Sequence, residues 1–222
     1  MNSVTSELIG ALIQNERFED WWESEPVEIP LFDNKKLKIT FMDFLPEHDL
    51  NFIKEADLAL QHFLDKSKTD RTILSDWAYK NCLEVLHEVG RNDSNEHLWE
   101  FTDRNDIWNY IHPQAIMVSR RHRRDEDIYV IVACECQWEE EHGLQWVFRR
   151  GKKLTRISGQ DGHLTDADAY DTTDEEDLLL RHFESEELIS PELPSYAEVE
   201  ENVPVNERPA IKKKSWWKRL WS

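Results

Sequence analysis

The chain has 222 residues, 39% of them hydrophobic and 11% aromatic, with a formal net charge of −19. That is enough apolar material for one core with appendages, and it excludes a wholly disordered chain. An acidic surface repels phosphate backbones, so nucleic acid is not the expected partner.

The charge is unevenly spread, with a net −10 over residues 1–160, −14 over 161–201 and +5 over 202–222. The opening Met1-Asn2-Ser3-Val4 lacks the basic start of a secretory leader, and no window approaches the roughly 20 apolar residues of a spanning helix, so cytoplasmic residence is expected. Cys82 falls in a helical pattern, while Cys134 and Cys136 stand two apart on one face of a strand. Ordinary buried thiols are expected there, not a disulfide framework or a soft-metal pair, and no metal or other cofactor is assigned.

In chain order, Leu8, Ile9, Leu12 and Ile13 give a short amphipathic pattern that predicts a helix ending near Trp21-Trp22, two rings expected in the core. Val27-Glu28-Ile29 and Leu37 to Phe41 alternate around Asp33-Asn34 and predict a β-hairpin. From Asn51 the period becomes helical through Phe52, Ile53, Ala56, Ala59, Leu60, Phe63 and Leu64. A second helix is predicted over Thr72–Val89, with Thr69 or Asp70 as N-cap and Gly90 just past its end. Ile107 to Ile111 reads as a short element stopped by Pro113. Ala115–Ser119, Ile128–Trp138, Leu144–Arg149 and Leu154–Ile157 predict an antiparallel meander. Within it, Ile128, Val130, Val132, Cys134 and Cys136 share one face while Tyr129, Ile131 and Ala133 keep the other apolar, so that strand should be central and covered on both sides. After Asp161 the periodicity fades into acidic sequence, with Leu178-Leu179-Leu180 and Phe183 as a short docked helix.

The expected fold is therefore α+β: an antiparallel sheet, made of an N-terminal hairpin and a C-terminal meander, with two long helices packed against it. Residues 1–188 would form the domain, 189–211 an acidic Pro-containing linker, and 212–222 a basic Trp-rich tail.

Chemistry-bearing residues are densest where Trp138-Glu139-Glu140-Glu141-His142-Gly143 is answered by Asp161-Gly162-His163 beyond the next hairpin. A meander can bring both segments to one end of the sheet, which would gather Glu141, His142, Asp161 and His163. Imidazoles and carboxylates are what a divalent-metal site or an acid/base pair needs. A structural loop, in which Glu139 or Asp161 caps backbone N–H groups and Gly143 supplies a positive φ, and a partner-binding loop are the competing readings. No nucleophile elbow, phosphate loop or His-Glu-x-x-His motif is present, so no catalytic residue is assigned.

The run Trp138, Glu139, Glu140, Glu141, His142, Gly143, Leu144, with Asp161-Gly162-His163-Leu164-Thr165, resembles an uncharacterised bacterial domain family with a Trp-x-x-Glu-His-Gly-Leu signature. The likeness extends over about residues 15–170. It implies a domain of unknown function, immunity-protein-like in general character, and brings no reaction with it.

The tail sets Lys212, Lys213, Lys214, Lys218 and Arg219 beside Trp216, Trp217 and Trp221. It suits weak peripheral contact with an anionic membrane, docking on a protein, folding back on the acidic domain, or stacking on nucleic acid. The composite expectation is a non-enzymatic protein-binding module that tethers or neutralises a partner. A metal-dependent enzyme using the Glu141/His142/Asp161/His163 cluster and a membrane-surface adaptor acting through the tail are the alternatives.

Overall fold

The structure is a computed structural model that describes residues 2–185 and 189–193. The N-terminal apolar pairs form a hairpin, β1 (Ser3–Ser6) with β2 (Gly10–Gln14), in place of the predicted helix. Gly10 at φ +85 opens β2, and the residues then alternate, with Leu12 fully buried and Ile13 exposed. Four apolar residues spaced i, i+1, i+4, i+5 fit either period over so short a window, and tertiary pairing decides. Ser6 Oγ accepts from the Leu8 and Ile9 amides and donates to Asp57, which ties the hairpin turn to the first helix.

Strand β3 (Trp22–Ser24) extends this sheet. The expected hairpin exists as β4 (Val27–Ile29) and β5 (Lys35–Leu37), with Asp33 and Asn34 both at positive φ, but it is a separate two-stranded sheet. Only β6 (Ile39–Phe41) returns to the main sheet, where it pairs antiparallel with β3. On its other side it runs parallel to β7 (Ile111–Arg120). Parallel neighbours need a long crossover, and this one carries α1 (Phe52–Leu64) and α2 (Arg71–Val89). Strands β8 (Ile128–Cys136), β9 (Leu144–Arg149) and β10 (Lys153–Ser158) complete the meander, giving eight strands in the order β1-β2-β3-β6-β7-β8-β9-β10. The fold is α+β, with a large, mostly antiparallel sheet and several helices. Short helices α3 (Asp166–Tyr170) and α4 (Leu178–Arg181) follow.

Pro113 does not stop an element: Arg104–Tyr110 is a 3-10 helix, and the proline lies inside β7 at a register shift, where its missing N–H breaks no regular ladder. The main core lies between the helices and one sheet face, with Phe41, Phe44, Phe52, Phe63, Trp146 and Phe148 at 1% exposure or less. Alternation puts Tyr129, Ile131 and Ala133 of β8 into a second cluster on the opposite face, together with Met117 and Val147. Trp21 and Trp22 are both buried, in the second and the main cluster respectively. The three cysteines are buried and free, and burial pushes the Cys136 thiol up to about 12.

The acidic run after Asp161 is fastened to the domain. Arg121, 3% exposed at the end of β7, donates to Thr165 Oγ1 at 3.1 Å, to Asp168 at 2.9 Å and to Asp174 at 2.7 and 2.8 Å. Asp177, also 3% exposed, accepts from the Ala167, Leu179 and Leu180 amides and so joins α3 to α4. Past the expected boundary at 188, the Ile189 carbonyl accepts from Trp77 Nε1 at 2.9 Å. The linker beyond Leu193 and the whole tail lie outside the described residues.

Two outcomes are expected. Gly151 sits at φ +66 in the β9–β10 turn, and a Cβ there would fall 1.9 Å from the Ala59 carbonyl oxygen of α1. Gly151→Ala should therefore cost about 1–3 kcal/mol in a urea unfolding midpoint, the range for overpacked sites; an unchanged midpoint would contradict this packing. The Arg121 hydrogen bond holds the Asp174 carboxyl below the ordinary value of 3.8. Its contribution to stability is complete above that value and is lost as pH falls through the lowered folded one. A carboxyl-carbon NMR titration should place the Asp174 midpoint below 3.8 in the wild type and return it towards 3.8 in Arg121→Met.

Candidate functional site

The β8–β9 connection and the segment leaving β10 meet at one end of the sheet, against α2. Together they border a groove of about 670 Å³. One wall is α2, presenting Trp77, Lys80, Glu84, Val85 and Glu88. The opposite side is formed by Glu139, His142 and Gly143, by Arg156 to Asp161 with His163, and by Asp166, Ala169 and Tyr170 of α3.

Three of the four residues expected to converge, His142, Asp161 and His163, do border this groove. Glu141 is exposed and is not among the groove-lining residues. Among the described residues, no three His, Cys, Asp or Glu side chains are grouped to hold a metal ion.

One carboxylate of each loop, Glu139 and Asp161, is engaged in building it. Glu139 Oε1 accepts from the Glu141 and His142 amides and faces His142 Nδ1, each at 3.2 Å. The Gly143 amide closes the turn on the Glu139 carbonyl at 2.9 Å. Gly143 has φ +63, and a Cβ there would lie 2.5 Å from the Cys134 carbonyl oxygen and 2.6 Å from Gln160 Nε2. The glycine is thus demanded both by backbone conformation and by the close approach of Gln160, whose Nε2 donates to that carbonyl at 2.8 Å. Trp138 is buried, and its Nε1–H donates to Asn81 of α2 at 3.0 Å, which fixes the loop against the helix.

Asp161 is equally committed. One oxygen accepts from Gln145 Nε2 and from the His163 amide, both at 3.0 Å, and the other accepts from Arg156 at 2.6 Å. Arg156, 3% exposed, also donates to Asp166, and its Nε–H finds no acceptor among the described residues. Desolvation raises the Asp166 carboxyl above its ordinary value, against the pull of Arg156. Lys80 is paired with Glu84 one turn along α2. What remains open to solvent is the rim: Glu84, Glu88 and His163 are exposed, and Tyr170 is 73% exposed.

Pattern reading missed Arg156, Gln145 and Gln160, and the α2 carboxylates. A signal for the first two was present: a buried strand position occupied by arginine or glutamine must find acceptors, and unneutralised aspartates stand close by at 161 and 166. Glu84 and Glu88 carried no signal, because a charged outer helix face is the ordinary case.

If Glu139 holds the turn as this geometry requires, Glu139→Ala should lower stability by about 1–2 kcal/mol, the cost of leaving loop amides without an acceptor. It should also speed amide exchange at Glu141 and His142, while Glu140→Ala, at an exposed position, leaves stability within about 0.5 kcal/mol and exchange unchanged. Equal behaviour of the two variants would contradict the assignment.

A family model described as a domain of unknown function, DUF6985, matches residues 9–164, which span both loops of the groove and every strand from β2 to β10. No curated protein and no solved structure matches the chain. The chain belongs to the DUF6985 family of domains of unknown function.

Proposed function

We propose that the domain is a non-enzymatic protein-binding module that tethers or neutralises a basic partner, and that the groove beside α2 is its recognition surface. One observation carries this reading. Asp161, His142 and Arg156 are engaged in bracing the groove, while the exposed Glu88, His163 and Tyr170, with Glu84 beside its partner Lys80, face solvent at its rim.

Braced walls of this kind are pre-organised for binding, which saves the ordering entropy of loops that would otherwise have to freeze on association. The five carboxylates bordering the groove outnumber its two fixed cations, Lys80 and Arg156, so the local field favours a positive partner. Rim aromatics such as Tyr170 add apolar area beside a polar tip, a frequent composition at protein interfaces. A cytoplasmic setting fits three free, buried thiols, and the bacterial, immunity-like character implied by the Trp138–Leu144 signature belongs to the same proposal.

Catalysis at Glu141, His142, Asp161 and His163 has less support, since Glu141 does not border the groove and Asp161 is held on three sides. The membrane-adaptor alternative rests on residues 212–222, outside those described.

Affinity capture with the tagged full chain at low salt, beside a full-length Glu84→Lys/Glu88→Lys variant, tests the proposal. A specific protein should be retained by the wild type and weakened tenfold or more by the variant, a change of about 1.4 kcal/mol. The variant's own stability should move by no more than about 0.5 kcal/mol. Retention of nothing by either chain, or of the same protein equally by both, would defeat the reading.

A further inference from the structure

We propose that in the free protein the groove beside α2 is occupied by this chain's own basic carboxyl-terminal segment, Lys212 to Trp221, which a partner must displace. The inference rests on the reading of the groove as a recognition surface and names its resident occupant.

Charge is the first ground. Both fixed cations bordering the groove are already spent, Lys80 on Glu84 and Arg156 on Asp161 and Asp166. The exposed Glu88 adds a further negative charge, so the groove keeps a surplus that its own residues do not cancel. The segment Lys212–Trp221 carries five cations in ten residues, whereas the eleven residues from Pro191 to Glu201 carry four carboxylates and no cation. Among the parts of the chain beyond the domain, the terminal segment is therefore the one of matching sign.

Shape and apolar surface agree. Trp77, Val85, Ile157 and Leu179 also border the groove, and Tyr170 stands 73% exposed at its edge. Trp216, Trp217 and Trp221 supply flat apolar rings with a donor N–H, which suits a cleft lined by both apolar side chains and carboxylates.

Where the described chain ends is the third ground. Ile189 is hydrogen-bonded to Trp77, the same residue that borders the groove, so the chain leaves the domain beside it. Residues 194–211 lie between Leu193 and the segment. A stretch of that length spans at most about 60 Å, more than the diameter of a domain of this size. Return to the groove is therefore within reach, and tethering makes the encounter intramolecular, equivalent to about millimolar concentration, so that individually weak contacts suffice. Surface ion pairs of this kind weaken with salt.

Zero-length carbodiimide coupling of the full chain tests this, because it joins an amine only to a carboxylate in contact with it. At low ionic strength, monomeric protein should show Lys212, Lys213, Lys214 or Lys218 joined to Glu84, Glu88 or Asp166. Those products should fall at least tenfold at high salt and in full-length Glu84→Gln/Glu88→Gln. Coupling confined to Glu198, Glu200 and Glu201, spread without preference over the domain, formed only between two molecules, or absent would overturn the proposal. Because the readout needs no partner, it can fail while partner capture through Glu84 and Glu88 succeeds. Conversely, groove coupling with capture indifferent to those residues would refute the binding module and leave the intramolecular contact standing.

Discussion

Two guanidinium groups taken out of water, those of Arg121 and Arg156, set the terms on which the end of this domain folds. An arginine buried to that degree costs several kcal/mol unless carboxylates and carbonyls replace its water, and both side chains draw their replacements largely from one short stretch, residues 161–174. Arg156 takes Asp161 and Asp166, Arg121 takes Asp168 and Asp174, and each also bonds to Thr165, one through its carbonyl and the other through its hydroxyl. A sequence with little apolar material is thereby held against the sheet by ion pairing. The α3 side of the groove exists because of it.

The opposite side follows from ordinary packing. The β6–β7 parallel pair forces a long crossover, the crossover supplies α2, and α2 lies along the end of the meander where the β8–β9 turn and the β10 exit meet. Trp138 binds that turn to Asn81, and Gly143 lets Gln160 approach the Cys134 carbonyl. The groove is therefore braced for two unrelated reasons, and its solvent-exposed charges are those at the rim. Such an arrangement suits recognition better than chemistry, since an acid or base must be free to exchange a proton with its substrate.

Much of this was legible in the residues. The two-sided apolar pattern of Tyr129 to Cys136 identified the central strand, and the 3.6-residue spacing of Phe52 to Leu64 identified α1. The meander predicts that the β8–β9 turn and the β10 exit share one end of the sheet, where His142, Asp161 and His163 border the groove and Glu141 does not. Short-range ambiguity defeated the reading of Leu8 to Ile13, where a buried Leu12 and an exposed Ile13 mark a strand that only its neighbours β1 and β3 select. Pro113 misled for a related reason, because a bulge accommodates a proline that a regular ladder would reject. The acidic segment was underestimated since hydrophobic periodicity is blind to a region held by buried arginines, and the partners Arg121 finds there, Asp168 and Asp174, lie more than forty residues away in sequence.

The most direct test is amide hydrogen exchange on Arg156→Met, compared with the wild type. The methionine keeps the apolar stem and removes the charge, so Asp161 and Asp166 lose their counter-ion while the sheet keeps its packing. Faster exchange over residues 161–170, with β7, β8 and β9 unchanged, is the expected result. Protection retained across 161–170 would mean that something other than the buried guanidinium holds that side of the groove, and the central claim would be wrong.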